Sequence, residues 1–179
     1  MSSIEVLKKI CLLGDPAVGK TSLIQKFVFD KFEGKYLSTL GTNITQKDIH
    51  YIDKNIKLKL MIWDLMGQKD FQQLITTAYR GASGALIVCD STKKETFKHL
   101  NWWMSSLFNI IGQIPIIFIV NKNDLKDQII VTPQDISEQS ILFNAPFVAT
   151  SAKTGENVEK AFHMLSKLLI RNQIKIQSK

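Results

Sequence analysis

The sequence predicts an α/β fold: three layers, with a six-stranded and mostly parallel sheet between two layers of helices, five helices in all, and one antiparallel strand at an edge. Three observations predict it. Continuous apolar runs recur at residues 10–13, 86–88, 116–120 and 147–149, as strands buried on both faces require. One run alternates instead, with Lys57 and Lys59 between Ile56, Leu58, Leu60 and Ile62, so that strand has one wet face. The stretches between carry apolar residues at helical spacing.

The elements follow in order. The first apolar run leads through a glycine loop into a helical stretch at about residues 20–30. Asp53-Lys54-Asn55 is a turn signal, so residues ~43–52 and ~56–63 form an antiparallel hairpin at one side of the sheet. A helix connects the hairpin to the run at 86–88. Phe97, Leu100, Met104, Leu107, Phe108 and Ile111 make the next apolar stripe. Thr132-Pro133 is an N-cap and first-turn pair opening a helix at ~133–143. Val158, Ala161, Phe162, Leu165, Leu168 and Leu169 keep i, i+3, i+4, i+7 spacing in a last helix. The order is β-α-β-β-α-β-α-β-α-β-α, and ligands of such a fold bind at the carboxyl ends of the strands.

The chain has 179 residues, 45% apolar and 22% charged, which suits one globular domain over 1–179 with a core that needs no staples. Residues 170–179 are expected to be a short tail. The longest apolar stretches are about five residues, far short of the ~20 a membrane helix needs. The N-terminus has no basic-then-apolar signal segment, and Ser2 excludes N-myristoylation. The net charge is +7, built from 21 Lys and only 2 Arg against 10 Asp and 6 Glu. The lysines run along the whole chain and isoleucine reaches 23. A nucleic-acid face would cluster its cations and favour arginine, so compositional bias explains the charge and no nucleic-acid partner is expected. Cys11 and Cys89 each sit in an apolar run and read as core thiols of a reducing compartment.

The sharpest motif is Gly14-Asp15-Pro16-Ala17-Val18-Gly19-Lys20-Thr21. It fits G-x-x-x-x-G-K-S/T and lies between a strand and a helix, the context that motif requires. Backbone N–H groups of such a loop point at an anion, and the two glycines let the backbone approach closely. Lys20 would reach the β- and γ-phosphates, Thr21 would ligate Mg²⁺, and Ser22 continues the contact into the helix. The motif implies phosphate binding but does not choose the base.

Asn121-Lys122-Asn123-Asp124 follows the run at 116–120 directly. The Asp124 carboxylate can accept from the guanine ring N–H and exocyclic amine, donors that adenine lacks at that edge; sites built on such bonds discriminate strongly. Asn121 can bridge base and loop, and the Lys122 stem can cover the ring face. Thr150-Ser151-Ala152-Lys153, after the last short strand, can present N–H groups to the guanine oxygen. Trp63-Asp64-Leu65-Met66-Gly67-Gln68 closes the alternating strand. Asp64 suits an outer carboxylate for Mg²⁺, Gly67 can offer its N–H to a γ-phosphate, and Gln68 can orient an attacking water. Asp64 alone would also serve as a helix N-cap.

With these motifs in register the chain resembles a small GTPase of the Ras superfamily, most like the Rab branch, from about Val6 to Leu169. The stretches that carry the resemblance are Ser38-Thr39-Leu40-Gly41, Ile62-Trp63-Asp64 with Gly67-Gln68, and Tyr79-Arg80-Gly81-Ala82. The resemblance implies a P-loop G domain that binds GTP and GDP with Mg²⁺ and hydrolyses GTP as a switch, with a role in membrane trafficking. Residues ~31–42 and ~65–80 would be the two switches. Thr39 would ligate Mg²⁺ and donate to the γ-phosphate, Phe32 would pack against guanine, and Tyr36 would lie over the phosphates. Gln68, Lys20 and Thr39 would then be the catalytic set. Release of both switches on hydrolysis is the physical logic.

Three departures stand out. Leu65-Met66 replaces the usual Thr-Ala, placing a bulky side chain before Gly67, so slow intrinsic hydrolysis is expected. Pro16 stands where glycine or serine is frequent, and Ala78 where Rab proteins commonly carry an aromatic. No arginine lies in ~31–42; an arginine supplied in trans is worth ~10³–10⁵ in rate, so a GTPase-activating protein, an exchange factor and effectors are the expected partners of a monomeric switch. Rab proteins usually end in prenylated cysteines, whereas no cysteine follows Cys89 here. The expected location is cytoplasmic and peripheral to membranes, with membrane attachment left open. Alternatives are a guanine-nucleotide scaffold with little hydrolysis and an ATP-using phosphotransferase. His50, His99 and His163 have no ligand spacing. Trp103 is expected in the core and Trp102 exposed as a partner contact. Lys167, Arg171, Lys175 and Lys179 recur at i, i+4 on the last helix and beyond, a solvated face or a membrane-surface patch.

Overall fold

The structure, a computed structural model, describes residues 4–32, 41–65 and 72–177, with the side chains of 72–74 and 172–177 left aside. Six strands form one sheet in the order β2-β3-β1-β4-β5-β6: β1 (Ile4–Leu13), β2 (Thr42–Tyr51), β3 (Ile56–Leu65), β4 (Gly84–Asp90), β5 (Ile116–Asn121) and β6 (Phe147–Ala149). All pairings are parallel except β2 with β3. The flanking helices are α1 (Lys20–Phe29), α2 (Gln72–Tyr79), α3 (Lys94–Lys98), α4 (Leu100–Ile111), α5 (Pro133–Phe143) and α6 (Val158–Gln177). α3 and α4 are one expected helix divided at His99, which keeps a helical backbone (φ −75°, ψ −9°). With α3 and α4 counted as one, the described residues show the predicted architecture, five helices on a mostly parallel sheet.

Alternation on β3 decides the layers. Ile56, Leu58, Leu60 and Ile62 face α1 and α6, packing with Leu23, Ile24 and Phe27 of α1 and with Ala161, Phe162, Leu165 and Leu169 of α6. Phe27 and Phe162 stack at 4.0 Å with their planes 3° apart. β4 and β5 are buried on both faces. Their other set, Ala85, Ile87, Cys89, Ile116, Phe118 and Val120, packs with Tyr79, Phe97, Leu100, Trp103 and Leu107. Both cysteines are buried free thiols, and burial pushes the Cys11 thiol up to about 12.

The hairpin turns through a short 3₁₀ segment, Ile52–Lys54, closed by Asn55 in the left-handed region (φ 52°), where asparagine is tolerated. α5 opens with the expected cap. The Thr132 hydroxyl accepts from the Asp135 N–H at 3.1 Å, and the Asp135 carboxylate accepts from the Thr132 N–H at 2.8 Å. α6 runs to Gln177, so the backbone of 170–177, expected as a short tail, is helical. Trp103 is 1% exposed as expected. Trp102 is half-buried, not exposed, because its ring packs edge-on against Trp103 at 4.8 Å. No helix among the described residues is long and apolar enough to cross a membrane.

Candidate nucleotide site

β1 has β3 on one side and β4 on the other, and the loop leaving its carboxyl end opens where the connections diverge, the usual ligand crevice of such sheets. That loop is residues 14–19. Gly14 (φ 136°), Ala17 (φ 62°) and Gly19 (φ 101°) take positive φ, the kind of backbone from which a loop can present N–H groups to an anion. A Cβ on Gly14 would lie 2.1 Å from the Val88 carbonyl oxygen, and one on Gly19 would lie 2.3 Å from Asn121 Nδ2. Both positions therefore need glycine for space as well as for φ. α1 starts at Lys20 with Gly19 as its N-cap, no side-chain cap and no acidic residue in its first turn. Its first N–H groups face the loop uncapped by a side chain, as anion binding at a helix start requires.

Lys20 is 6% exposed. Its ammonium donates to the carbonyls of Gly14 and Asp15, both at 2.8 Å. Burial lowers its pKa from the usual lysine range to about 8, against the pull of Asp64 and Asp15. A desolvated cation held against this glycine loop at a helix start fits a phosphate chain. Beside it Thr21 Oγ1 donates to Asp64 Oδ2 at 2.5 Å, joining the start of α1 to the end of β3. A hydroxyl and a carboxylate are hard oxygen donors, the set that Mg²⁺ takes next to phosphates, so these residues fit that ion.

The base-side motifs meet the same loop. Asn121 Nδ2 donates to the Val18 carbonyl at 2.9 Å, and its Oδ1 accepts from Thr150 Oγ1 and the Ala152 N–H, both at 3.1 Å. One side chain thus ties together three segments far apart in sequence. Asp124 Oδ1 accepts from Ser151 Oγ at 2.6 Å, which orients the carboxylate. Lys122 takes a left-handed backbone (φ 68°), and its ammonium bonds Asp90 Oδ2 at 2.6 Å. Burial alone would raise the Asp90 pKa; bonds from Lys122 and Thr92 outweigh it and hold the carboxyl below its ordinary range. Ser151 and Ala152 are buried and Lys153 is exposed. Phe32 is 41% exposed. Tyr36, Thr39, Gly67 and Gln68 lie outside the described residues, as does Met66.

Three participants escaped the motif reading. Asp90 anchors Lys122 from the end of β4. His99 and Trp103 both bond the Asp15 carboxylate, through His99 Nδ1 at 2.6 Å and Trp103 Nε1 at 2.8 Å. No spacing rule links residues 84 and 88 positions apart; only the folded sheet brings them together.

A family model described as the Ras family matches residues 9–171. The chain belongs to the Ras family. Within it the relatives are Rab-like. The chain is 37% identical to the Ras-related protein RABA4b of Arabidopsis thaliana over 90% of its length and 72% of the relative's. It is 35% identical to human Ras-related protein Rab-27B, covering 93% and 81%, and 33% identical to the Ras-related protein SEC4 of Saccharomyces cerevisiae, covering 93% and 77%. This Ras-family chain is a Rab-like small GTPase, and its sheet, loop and strand-end motifs have the fold that family membership requires.

Proposed function

We propose that this Rab-like GTPase is a guanine-nucleotide switch that holds GTP or GDP with Mg²⁺, hydrolyses GTP slowly, and serves membrane trafficking at a membrane periphery. The observation that carries the reading is the Asn121 tie: the same side chain bonds the phosphate loop at Val18 and the base-side loop at Ala152. Phosphate contacts and base contacts are therefore held in one frame. In that frame residues 14–19, Lys20, Thr21 and Ser22 grip the phosphates. Asn121, Lys122, Asp124, Ser151, Ala152 and Lys153 read guanine, with Phe32 against the ring. Thr21, Thr39 and Asp64 would hold the ion, which would supply charge neutralisation on the transferred phosphoryl group. By the family resemblance Gln68 would orient the attacking water, Gly67 and Thr39 would sense the γ-phosphate, and Tyr36 would cover it.

Discrimination for guanine follows from Asp124. Its carboxylate, oriented by Ser151 at 2.6 Å, has acceptor capacity for two guanine donors that adenine lacks at that edge, and lost bonds of this kind support selectivity. Slow hydrolysis is the reading because no arginine stands in residues 31–42 and a bulky Met66 directly precedes Gly67 in the sequence. An activating protein, an exchange factor and effectors complete the cycle. The test is the nucleotide released from denatured purified protein, followed by a hydrolysis time course with GTP. Guanine nucleotide and slow GDP formation are expected. Adenine nucleotide, or turnover at metabolic-enzyme rates, overturns the reading.

A further inference from the structure

An acidic residue in an anion-binding loop is a physical problem. A carboxylate beside a phosphate chain repels it, and the repulsion grows as water is excluded. Asp15 is that residue, and its side chain is only 12% exposed. Both of its oxygens are held from one direction: Oδ2 by His99 Nδ1 at 2.6 Å and Oδ1 by Trp103 Nε1 at 2.8 Å. The two donors lie one turn apart at the start of α4, and His99 is the residue at which α3 and α4 divide. The backbone carbonyl of the same Asp15 accepts from Lys20 at 2.8 Å. Residue 15 is thus a node, tied to the start of α4 through its side chain and to Lys20 through its backbone.

We propose that His99 and Trp103 are positioning residues for the phosphate loop, acting through the Asp15 carboxylate to hold the Lys20-gripping conformation and to draw the negative charge away from bound nucleotide. Trp103 is fixed by its burial and by the edge-on Trp102 ring. His99 presents Nδ1 as a donor, and its side chain is 38% exposed, so it can be replaced without opening the core. The proposal rests on residues 14–21 being a nucleotide phosphate loop.

The test measures release of a fluorescent GDP analogue from the full chain with Mg²⁺, with melting temperature alongside. The variants are His99→Ala, His99→Gln and Trp103→Phe, each alone and combined with Asp15→Asn. A bond to a carboxylate of this kind is worth enough for release about threefold to tenfold faster in His99→Ala and in Trp103→Phe. His99→Gln, which restores an N–H donor, moves back toward wild type. In the Asp15→Asn background the His99 and Trp103 effects shrink well below the product of the single effects. Wild-type release rates in both single variants, or effects that multiply fully with Asp15→Asn, overturn the proposal even where melting temperature falls. If Trp103→Phe fails to fold, the His99→Ala and His99→Gln pair decides alone. A wild-type protein that binds no guanine nucleotide overturns instead the reading beneath it.

Discussion

Thr21 at the head of α1 donates its hydroxyl hydrogen to Asp64 at the end of β3, across 2.5 Å. The two residues are 43 apart in the chain and adjacent because β1 and β3 pair in parallel, with Leu12 opposite Asp64. The bond sets the orientation of the hydroxyl oxygen that an ion beside the phosphates would use. Asp64→Ala removes the acceptor, and groups that orient ligands in this way are typically worth about 10–100-fold in metal affinity. The Mg²⁺ concentration needed to retain nucleotide is expected to rise by that factor, measured as release of a fluorescent nucleotide against Mg²⁺. An unchanged midpoint would remove Asp64 from the ion site.

Asn121→Ala is expected to act on stability before any ligand is added. It deprives the Val18 carbonyl, the Thr150 hydroxyl and the Ala152 N–H of a partner inside a buried region. Unmet buried groups cost about 1–3 kcal/mol each, and some will find water. A loss of about 2–3 kcal/mol is expected for nucleotide-free protein by denaturant titration, together with weaker guanine binding.

Lys20 makes a pH prediction. Its folded-state pKa is lowered by burial to about 8, below its value in the unfolded chain. Between that value and the ordinary lysine range the unfolded state holds the proton that the folded state has released. Stability of nucleotide-free protein from this group therefore rises with pH over that window. The stability difference between wild type and Lys20→Met is expected to move toward wild type by about 1–3 kcal/mol from pH ~7.5 to ~10. A flat difference would show that the folded-state lysine stays charged throughout.

The Phe27–Phe162 stack joins α1 to α6 behind the phosphate loop, and Phe162 is 1% exposed. Phe162→Ala is expected to cost about 3–5 kcal/mol in chemical denaturation. Faster nucleotide release should accompany it, because α1 carries Lys20 and Thr21.

Met66→Ala removes bulk before Gly67 and Gln68. Single-turnover GTP hydrolysis is expected to speed up, and an unchanged rate would show that Met66 does not restrain it.

Most of the architecture was legible because burial leaves a periodic trace. The runs at 86–88 and 116–120 fall inside β4 and β5, and the Lys57/Lys59 alternation became β3 with its wet face. Thr132-Pro133 marked α5 at its observed start because capping chemistry is local. The last helix was read too short, since its stripe ends at Leu169 while the backbone stays helical to Gln177. Trp102 is half-buried where exposure is expected, because a helical wheel shows which side a ring leaves from, not the neighbour it turns onto.

The sequence by itself determined the family, the glycine loop proposed to grip phosphate, and the residue types proposed to read guanine. Those signals are contiguous: a glycine spacing or a strand-end motif carries its meaning within a few residues. Tertiary structure decided the ties between them. Asn121 bonding Val18, Thr21 bonding Asp64, Lys122 bonding Asp90, and Asp15 held by His99 and Trp103 all join segments from different strand ends. Hydrogen bonds act over about 3 Å, and only the packed parallel sheet brings residues so distant in the chain within that range.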